Sequence, residues 1–242
     1  DVYFDYDEKG NTRLLSIQFR PQYQYLDQNK EAEERIYEGE TPGVSYGDIA
    51  ERYYTVGQYM KEVKDVSKAM AAAGDSYICD EYLNAMGSPE AESVYVLHDL
   101  NNDGIEEFFI GLKFNYDIPY YVIYDVYTWK DGRAYQLMRG IGYRNGSCKI
   151  CENGVIEDNY SGSAWDGQTL YHILPEGGIE LETIDSVSSR RDGTVQSYYH
   201  WNELIDENSL QTILEQYQPE SVTYVDCNRE TIEQLRLSGI RK

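Results

Sequence analysis

Tyr120-Tyr121-Val122-Ile123-Tyr124-Asp125-Val126-Tyr127-Thr128-Trp129-Lys130-Asp131-Gly132-Arg133-Ala134-Tyr135-Gln136-Leu137-Met138-Arg139 reads as a strand, a turn and a second strand. β-Branched and aromatic residues dominate the first half, and the apolar positions follow the period of two that a pleated strand imposes. Lys130-Asp131-Gly132 between the halves is a turn, with glycine able to take the left-handed backbone of a tight hairpin. The same period continues on both sides. It predicts strands over 94–99 and 107–114 before this hairpin, and over 147–151, 155–160, 168–174, 179–187 and 194–201 after it. Asn145-Gly146, Asn153-Gly154, Pro175-Glu176-Gly177-Gly178 and Arg191-Asp192-Gly193 punctuate the later strands. Short strands joined by tight turns, with no helical stretch between them, predict an antiparallel meander.

Helices are expected on either side of the meander. Ile49, Tyr53, Val56, Met60, Val63, Ser67 and Met70 recur at spacings of four and three, which places them on one helical face. Asp48 lies near the start of that helix and Gly74 just past its end. Asp75-Ser76 then caps a second helix running to Met86, stopped by Gly87 and Pro89. After the meander, 206–217 and 228–237 read as helices, with a short strand over 222–225 between them. Residues 1–20 form a separate hairpin about a turn at 7–11, and the charged stretch 26–38 is a connection or weak helix. The fold class is α+β: an antiparallel β-meander, an incomplete barrel or curled sheet, packed against helices from both termini. The expected organisation is 1–92 as hairpin plus helix pair, 93–201 as the β region, and 202–242 as C-terminal helices packed on that region as one unit.

The chain has 242 residues, 41% of them hydrophobic, enough to bury a core rather than remain an acidic disordered tail. No apolar run approaches the roughly 18 residues of a membrane-spanning helix. Asp+Glu number 43 against 21 Lys+Arg, a net charge of −22, so phosphate backbones are repelled and nucleic acid is not an expected partner. Opening at Asp1 rather than Met suggests a trimmed or mature product. Tyr occurs 25 times against 5 Phe, a choice that suits half-solvated sheet faces, because tyrosine joins an apolar ring to a polar tip.

Four cysteines are present: Cys79, Cys148, Cys151 and Cys227. Cys148 and Cys151 form a C-x-x-C, but Asn-Gly turns bracket the segment and make it a strand. Residues three apart on a strand face opposite ways and lie about 10 Å apart at ~3.3 Å per residue, too far for a disulfide. The pairing of the four cysteines stays open.

One motif carries definite chemistry. Asp99-Leu100-Asn101-Asn102-Asp103-Gly104-Ile105-Glu106-Glu107 sets oxygen side chains at positions 1, 3, 5 and 9, with glycine at 6. Calcium takes six to eight oxygen ligands, so a short loop must curl and turn alternate side chains inward. Asp99, Asn101, Asp103 and Glu107 would supply side-chain oxygens and Ile105 its carbonyl, with Gly104 permitting the bend. The twelfth position, where an EF-hand carries a bidentate Glu, is Ile110, and the flanks are strands. A structural ion is therefore expected rather than a sensor.

This strand–loop–strand D-x-N-x-D-G-x-x-E resembles the calcium loops of FG-GAP blades in integrin-type propellers, and the related loops of thrombospondin-type and dockerin repeats. A propeller repeats its loop, and this chain has one copy. More loosely, 93–220 resembles uncharacterised secreted or lipid-anchored proteins of Gram-positive gut bacteria. The residues concerned are the 99–107 loop, Ile123-Tyr124-Asp125-Val126-Tyr127-Thr128-Trp129-Lys130-Asp131-Gly132 and Glu152-Asn153-Gly154. That resemblance implies an extracellular or cell-surface address, with any lipid anchor removed from the mature chain, and assigns no enzyme activity.

Catalytic signatures are missing. His98, His172 and His200 form no H-E-x-x-H, and G-x-S-x-G, Walker and G-x-G-x-x-G motifs are absent. Trp165, in the small-residue stretch 159–167, and Trp201, beside Tyr198, Tyr199 and His200, are aromatic clusters on or near loops. Trp165, Tyr199 and Trp201 are the candidate ligand-binding residues, for a glycan or a surface protein. The leading expectation is a secreted or cell-surface, non-catalytic binding module with one structural Ca²⁺ site. The alternative is a glycan-directed hydrolase using Asp or Glu carboxylates that the sequence alone does not single out.

Overall fold

The computed structural model describes residues 2–6, 12–17, 45–73, 78–130, 132–140, 148–161, 165–174, 179–188, 195–201 and 203–238. Its contacts divide the chain into two units, Asp1–Thr41 and Pro42–Lys242. In the first unit β1 (Val2–Tyr6) and β2 (Thr12–Ile17) pair antiparallel, Val2 opposite Ile17 and Tyr6 opposite Thr12, as their alternation predicts.

The second unit holds two antiparallel sheets. β3 (Ala91–His98), β4 (Glu107–Phe114), β5 (Tyr120–Lys130) and β6 (Arg133–Arg139) are consecutive neighbours in one of them. β7 (Cys148–Cys151), β8 (Val155–Ser161), β9 (Trp165–Ile173), β10 (Ile179–Ser188), β11 (Val195–His200) and β12 (Glu203–Ile205) follow one another in the other. β13 (Val225–Asp226) returns to pair with β3, completing the first sheet as five strands. The meander is thus present, but it is split in two, and no barrel closes among the described residues.

Helices from both sides of the meander cover the five-stranded sheet. α1 (Tyr46–Val63) begins in a reciprocal cap: the Asp48 N–H donates to Ser45 Oγ at 3.2 Å and the Ser45 N–H to Asp48 Oδ2 at 3.0 Å. Ile49, Tyr53, Val56 and Met60 are buried on its predicted face. The expected single helix out to Met70 is two helices. Lys64 is left-handed at φ 52°, its N–H bonded to the Met60 carbonyl, and α2 (Val66–Ala73) starts afresh with the Lys68 N–H on Asp65 Oδ1 at 3.1 Å. Val63 and Ser67, both assigned to the apolar face, are exposed, so no packing holds the helix straight there. α3 (Asp80–Met86) is capped by the Cys79 sulfur, while the expected cap at Asp75-Ser76 lies outside the described residues. α4 (Glu207–Leu214) and α5 (Arg229–Ser238) follow the meander, and Arg236 of α5 bonds Asp48 at the start of α1.

Three cores result. Tyr53, Met60, Tyr82, Leu83, Phe108 and Ile110 belong to the one between helices and five-stranded sheet. Val96, Phe109, Val126, Ile150, Ile156 and Ile173 fill the space between the two sheets. Leu170, Ile184 and Leu210 form the third, on the outer face of the six-stranded sheet beneath α4. Cys148 belongs to the second core and Cys151 to the third, on opposite faces of β7 as the strand reading requires. All four cysteines are free and buried, and burial pushes the Cys151 thiol up to about 11, far from a reactive thiolate.

Pairing slips by one residue in β5, where Ile110 faces Asp125 but Gly111 faces Ile123, leaving Tyr124 as an extra residue. Ile123 consequently enters the core between the sheets, while Tyr124 and Asp125 turn toward the helices. Asp125 is fully buried, accepting from the Tyr53 hydroxyl and, at 3.0 Å, from the Gly140 N–H. Burial raises its carboxyl to about 6, against the lowering effect of those two bonds.

Candidate functional site

Residues 99–106 connect β3 to β4, whose last pair is His98 opposite Glu107. Asn102 and Gly104 are left-handed at φ 57° and 87°, and the first half of the loop curls through them. No atom lies within 4 Å of where a Gly104 Cβ would stand, so backbone conformation rather than space calls for glycine. Asp99 holds the curl, Oδ1 accepting from the Asp103 N–H at 3.1 Å and Oδ2 from the Gly104 N–H at 2.9 Å. Asn101 Oδ1 shares the Asp103 N–H at 3.2 Å, and Asp103 Oδ1 accepts from the Ile105 N–H at 2.7 Å. The loop is also anchored from outside. Asn101 Nδ2 donates to the Leu174 carbonyl at 3.1 Å, Tyr46 donates to the Glu106 carbonyl at 2.9 Å, and Leu100 is buried between the sheets.

Asp99, Asn101 and Asp103 are thus knitted into one loop, with Ile105 bonded to Asp103. Glu107 is placed differently. It is fully buried, Oε2 accepting from the Leu100 N–H at 3.0 Å and Oε1 from the Thr128 hydroxyl at 3.1 Å. Burial raises its carboxyl to about 7, and nearby Asp103 adds to the rise. Among the described residues, no three His, Cys, Asp or Glu side chains converge as a group that could hold a metal ion. The loop thus gathers the side-chain oxygens of Asp99, Asn101 and Asp103 on one curled backbone, while Glu107 is held by the Leu100 N–H and the Thr128 hydroxyl.

The three aromatic candidates belong to the six-stranded sheet and the turn after β11. Only the backbone of Trp165 is described; it pairs with Val187 at the far end of β9. Tyr199 pairs with Leu204 on β12 and points to the opposite face from its neighbour His200. Trp201 is 49% exposed in the β11–β12 turn, left-handed at φ 53°, with its ring 6.0 Å from that of His200. Left-handed backbone is uncommon for a bulky side chain, and here it turns an indole toward solvent.

A polar cluster absent from the sequence reading lies next to Trp201. Glu182 on β10 accepts from His172 Nε2 at 2.9 Å, from His200 Nε2 at 2.6 Å and from the Tyr217 hydroxyl at 2.6 Å. The carboxylate is acceptor-only, so each imidazole must carry hydrogen on Nε2. Burial pushes the Glu182 carboxyl up, but the bonds from Tyr217, His200 and His172 outweigh it and hold the group below the usual carboxylate range. Its contribution to stability is present above the ordinary Glu value of about 4.3 and is lost as pH falls through the lower folded value. Glu182→Gln, which leaves one oxygen where three donors converge, is expected to cost about 2 kcal/mol at pH 7 and progressively less below pH 4. Thermal unfolding at the two pH values checks this; a loss that is equal at both contradicts it. Cross-strand register brings the two histidines to Glu182, His172 diagonal to it on one side and His200 on the other, and Tyr217 joins from the segment after α4.

Glu157 and Glu182 stand on either side of β9, both opposite Leu170. Two carboxylates on one face would interest a glycosidase. Leu170, however, is fully buried between them, in the core under α4.

No described helix is long and apolar enough to cross a membrane. Comparison with protein-family models, with curated proteins and with solved structures finds no match.

Proposed function

We propose that this chain is a secreted or cell-surface, non-catalytic binding module that carries one structural calcium ion in the loop between β3 and β4. The observation that supports it is the loop itself: Asp99, Asn101 and Asp103 are locked in a curl by three backbone N–H groups. Every donor atom on offer is a hard oxygen, the chemistry that calcium prefers. Asp99, Asn101 and Asp103 would hold the ion with the Ile105 carbonyl, and Glu107 braces the loop through the Leu100 N–H. A bound ion supplies the positive charge that offsets this crowding of carboxylates. The loop's ties to Leu174 and Tyr46 then fasten strands to a helix and to the second sheet.

The address rests on the resemblance to secreted and lipid-anchored proteins and on the need for abundant calcium. Trp201 and Tyr199, with Trp165, are the proposed contacts for a glycan or a surface protein. The hydrolase alternative is weakened by the buried Leu170 between Glu157 and Glu182. Calorimetric titration of the chelated chain with Ca²⁺ is expected to give a single site that Asp103→Ala abolishes. A flat titration of the unaltered chain contradicts the metal assignment. Turnover of a polysaccharide, lost in Glu182→Gln, would replace the binding module with the hydrolase.

A further inference from the structure

The hairpin joining β4 to β5 carries an aromatic surface outside the clusters considered above. Phe114 and Tyr120 are paired across the strands, and their rings stack at 4.7 Å with 13° between planes. Tyr116 lies nearly parallel to both, 6.3 Å from Phe114 and 5.8 Å from Tyr120. Phe114 is buried at the base, whereas Tyr116 is 51% exposed, Tyr120 47% and Ile118 83%. An isoleucine so exposed contributes almost nothing to folding, because its area stays in water. Contiguous apolar surface of this kind marks interaction sites, and tyrosine is prominent among the residues that anchor them. Mutual stacking and the fixed backbone of Pro119 hold the rings in place before any partner arrives.

Charge selects the partner. Asp117 and Glu92 are exposed and Glu90 half-buried beside this hairpin, where the Glu90 carbonyl accepts the Asn115 N–H at 3.0 Å. Lys113, opposite Glu92, is the cation in the same register. The whole chain carries −22, so its field attracts cations and repels anionic lipids, phosphates and acidic glycans. Aromatic faces carry negative charge at their centres, and guanidinium groups stack on them. We propose that residues 114–120 form a docking surface for a basic polypeptide segment. Its Arg or Lys side chains lie against Tyr116 and Tyr120, Asp117 and its acidic neighbours neutralise them, and Ile118 meets the segment's apolar stems. This extends the binding-module reading by naming a surface and a partner chemistry, and it makes no use of the calcium loop.

Octa-arginine, titrated at about 0.15 M salt where long-range attraction is damped, is the test probe. Tyr116→Ser with Tyr120→Ser leaves the net charge unchanged and is expected to weaken binding about tenfold, equivalent to two modest ring–cation contacts. Ile118→Ser, at the most exposed position, should weaken it about threefold without shifting the unfolding midpoint, while Tyr116→Phe should bind like the unaltered chain. Binding that survives both serine variants would mean attraction by net charge alone and overturn the assignment. Binding lost instead in Trp201→Ala would overturn it while leaving the binding-module reading in place. No binding of octa-arginine overturns it outright, as does tyrosine-dependent binding of cellohexaose or chitohexaose in its stead.

Discussion

Gly111→Ala is expected to lower the unfolding midpoint by about 10 °C or to prevent folding, a loss on the order of 4 kcal/mol. A methyl group at this position would stand 2.0 Å from the Val122 carbonyl oxygen and 2.9 Å from the Ile123 Cα. Both are backbone atoms of the neighbouring strand, so no rotamer change relieves the clash. β4 lies at the centre of its sheet, between β3 and β5, and cannot move aside. Relief would require undoing the bulge at Ile110/Gly111, which alone turns Tyr124 and Asp125 toward the helices. Undoing it would rotate a carboxylate out of its buried bonds as well. An alanine variant melting within about 2 °C of the parent would show that the bulge is not fixed by this close approach.

Tyr53→Phe follows from the same part of the fold. The phenylalanine ring can still pack edge-on against Tyr82, where the tyrosine ring sits 4.9 Å away. What disappears is the hydroxyl bonded to Asp125 and to the Tyr127 hydroxyl at 3.1 Å. The buried carboxylate then loses a hydroxyl donor and keeps the Gly140 N–H and the Cys79 thiol, at a cost of about 3 kcal/mol when ionised. The sign of the pH dependence follows from the raised carboxyl, about 6 in the fold against an ordinary Asp value near 3.9. The folded protein binds this proton more tightly than the unfolded chain, so stability falls as pH rises from about 4 to 6 and stays reduced above. Removing a donor to the ionised form raises the carboxyl further. The gap between parent and variant should therefore be wide at pH 8 and narrow at pH 5. Thermal melts at both values measure it, and a gap that is wider at pH 5 would contradict the role given to Asp125.

The strands were legible because their alternation and their Asn-Gly and Asp-Gly turns are local signals. Cys148 and Cys151 illustrate the gain: strand periodicity alone placed them on opposite faces, where they lie. Division of the meander into two sheets was not legible, because no residue pattern between β6 and β7 marks the departure from one sheet to the other. β12, three residues long, is too short for periodicity to register, whereas the short strand expected over 222–225 corresponds to β13 at Val225–Asp226. The break at Lys64 lacks glycine or proline, and its one local sign is Asp65, able to cap the helix that follows. In the loop between β3 and β4, Asp99, Asn101 and Asp103 could be grouped by spacing, but the inward turn of Glu107 depends on Thr128 from another strand. Glu182 with His172, His200 and Tyr217 required register across three strands and a tail. Among 25 tyrosines, helical spacing marks Tyr53 for burial, but nothing local distinguishes the exposed Tyr116 and Tyr120 from the buried Tyr82.

Thermal unfolding of the chelated chain, with and without added Ca²⁺, on the parent and on Asp103→Ala, tests the central claim most directly. Calcium at about 100 times its dissociation constant adds about 2.7 kcal/mol to a folded state that binds it. For a chain of this size that is a rise of about 5–10 °C in the midpoint. A rise in the parent that is lost in Asp103→Ala is the predicted result. Midpoints that ignore calcium in both proteins would reduce residues 99–107 to a polar turn and remove the metal from the account.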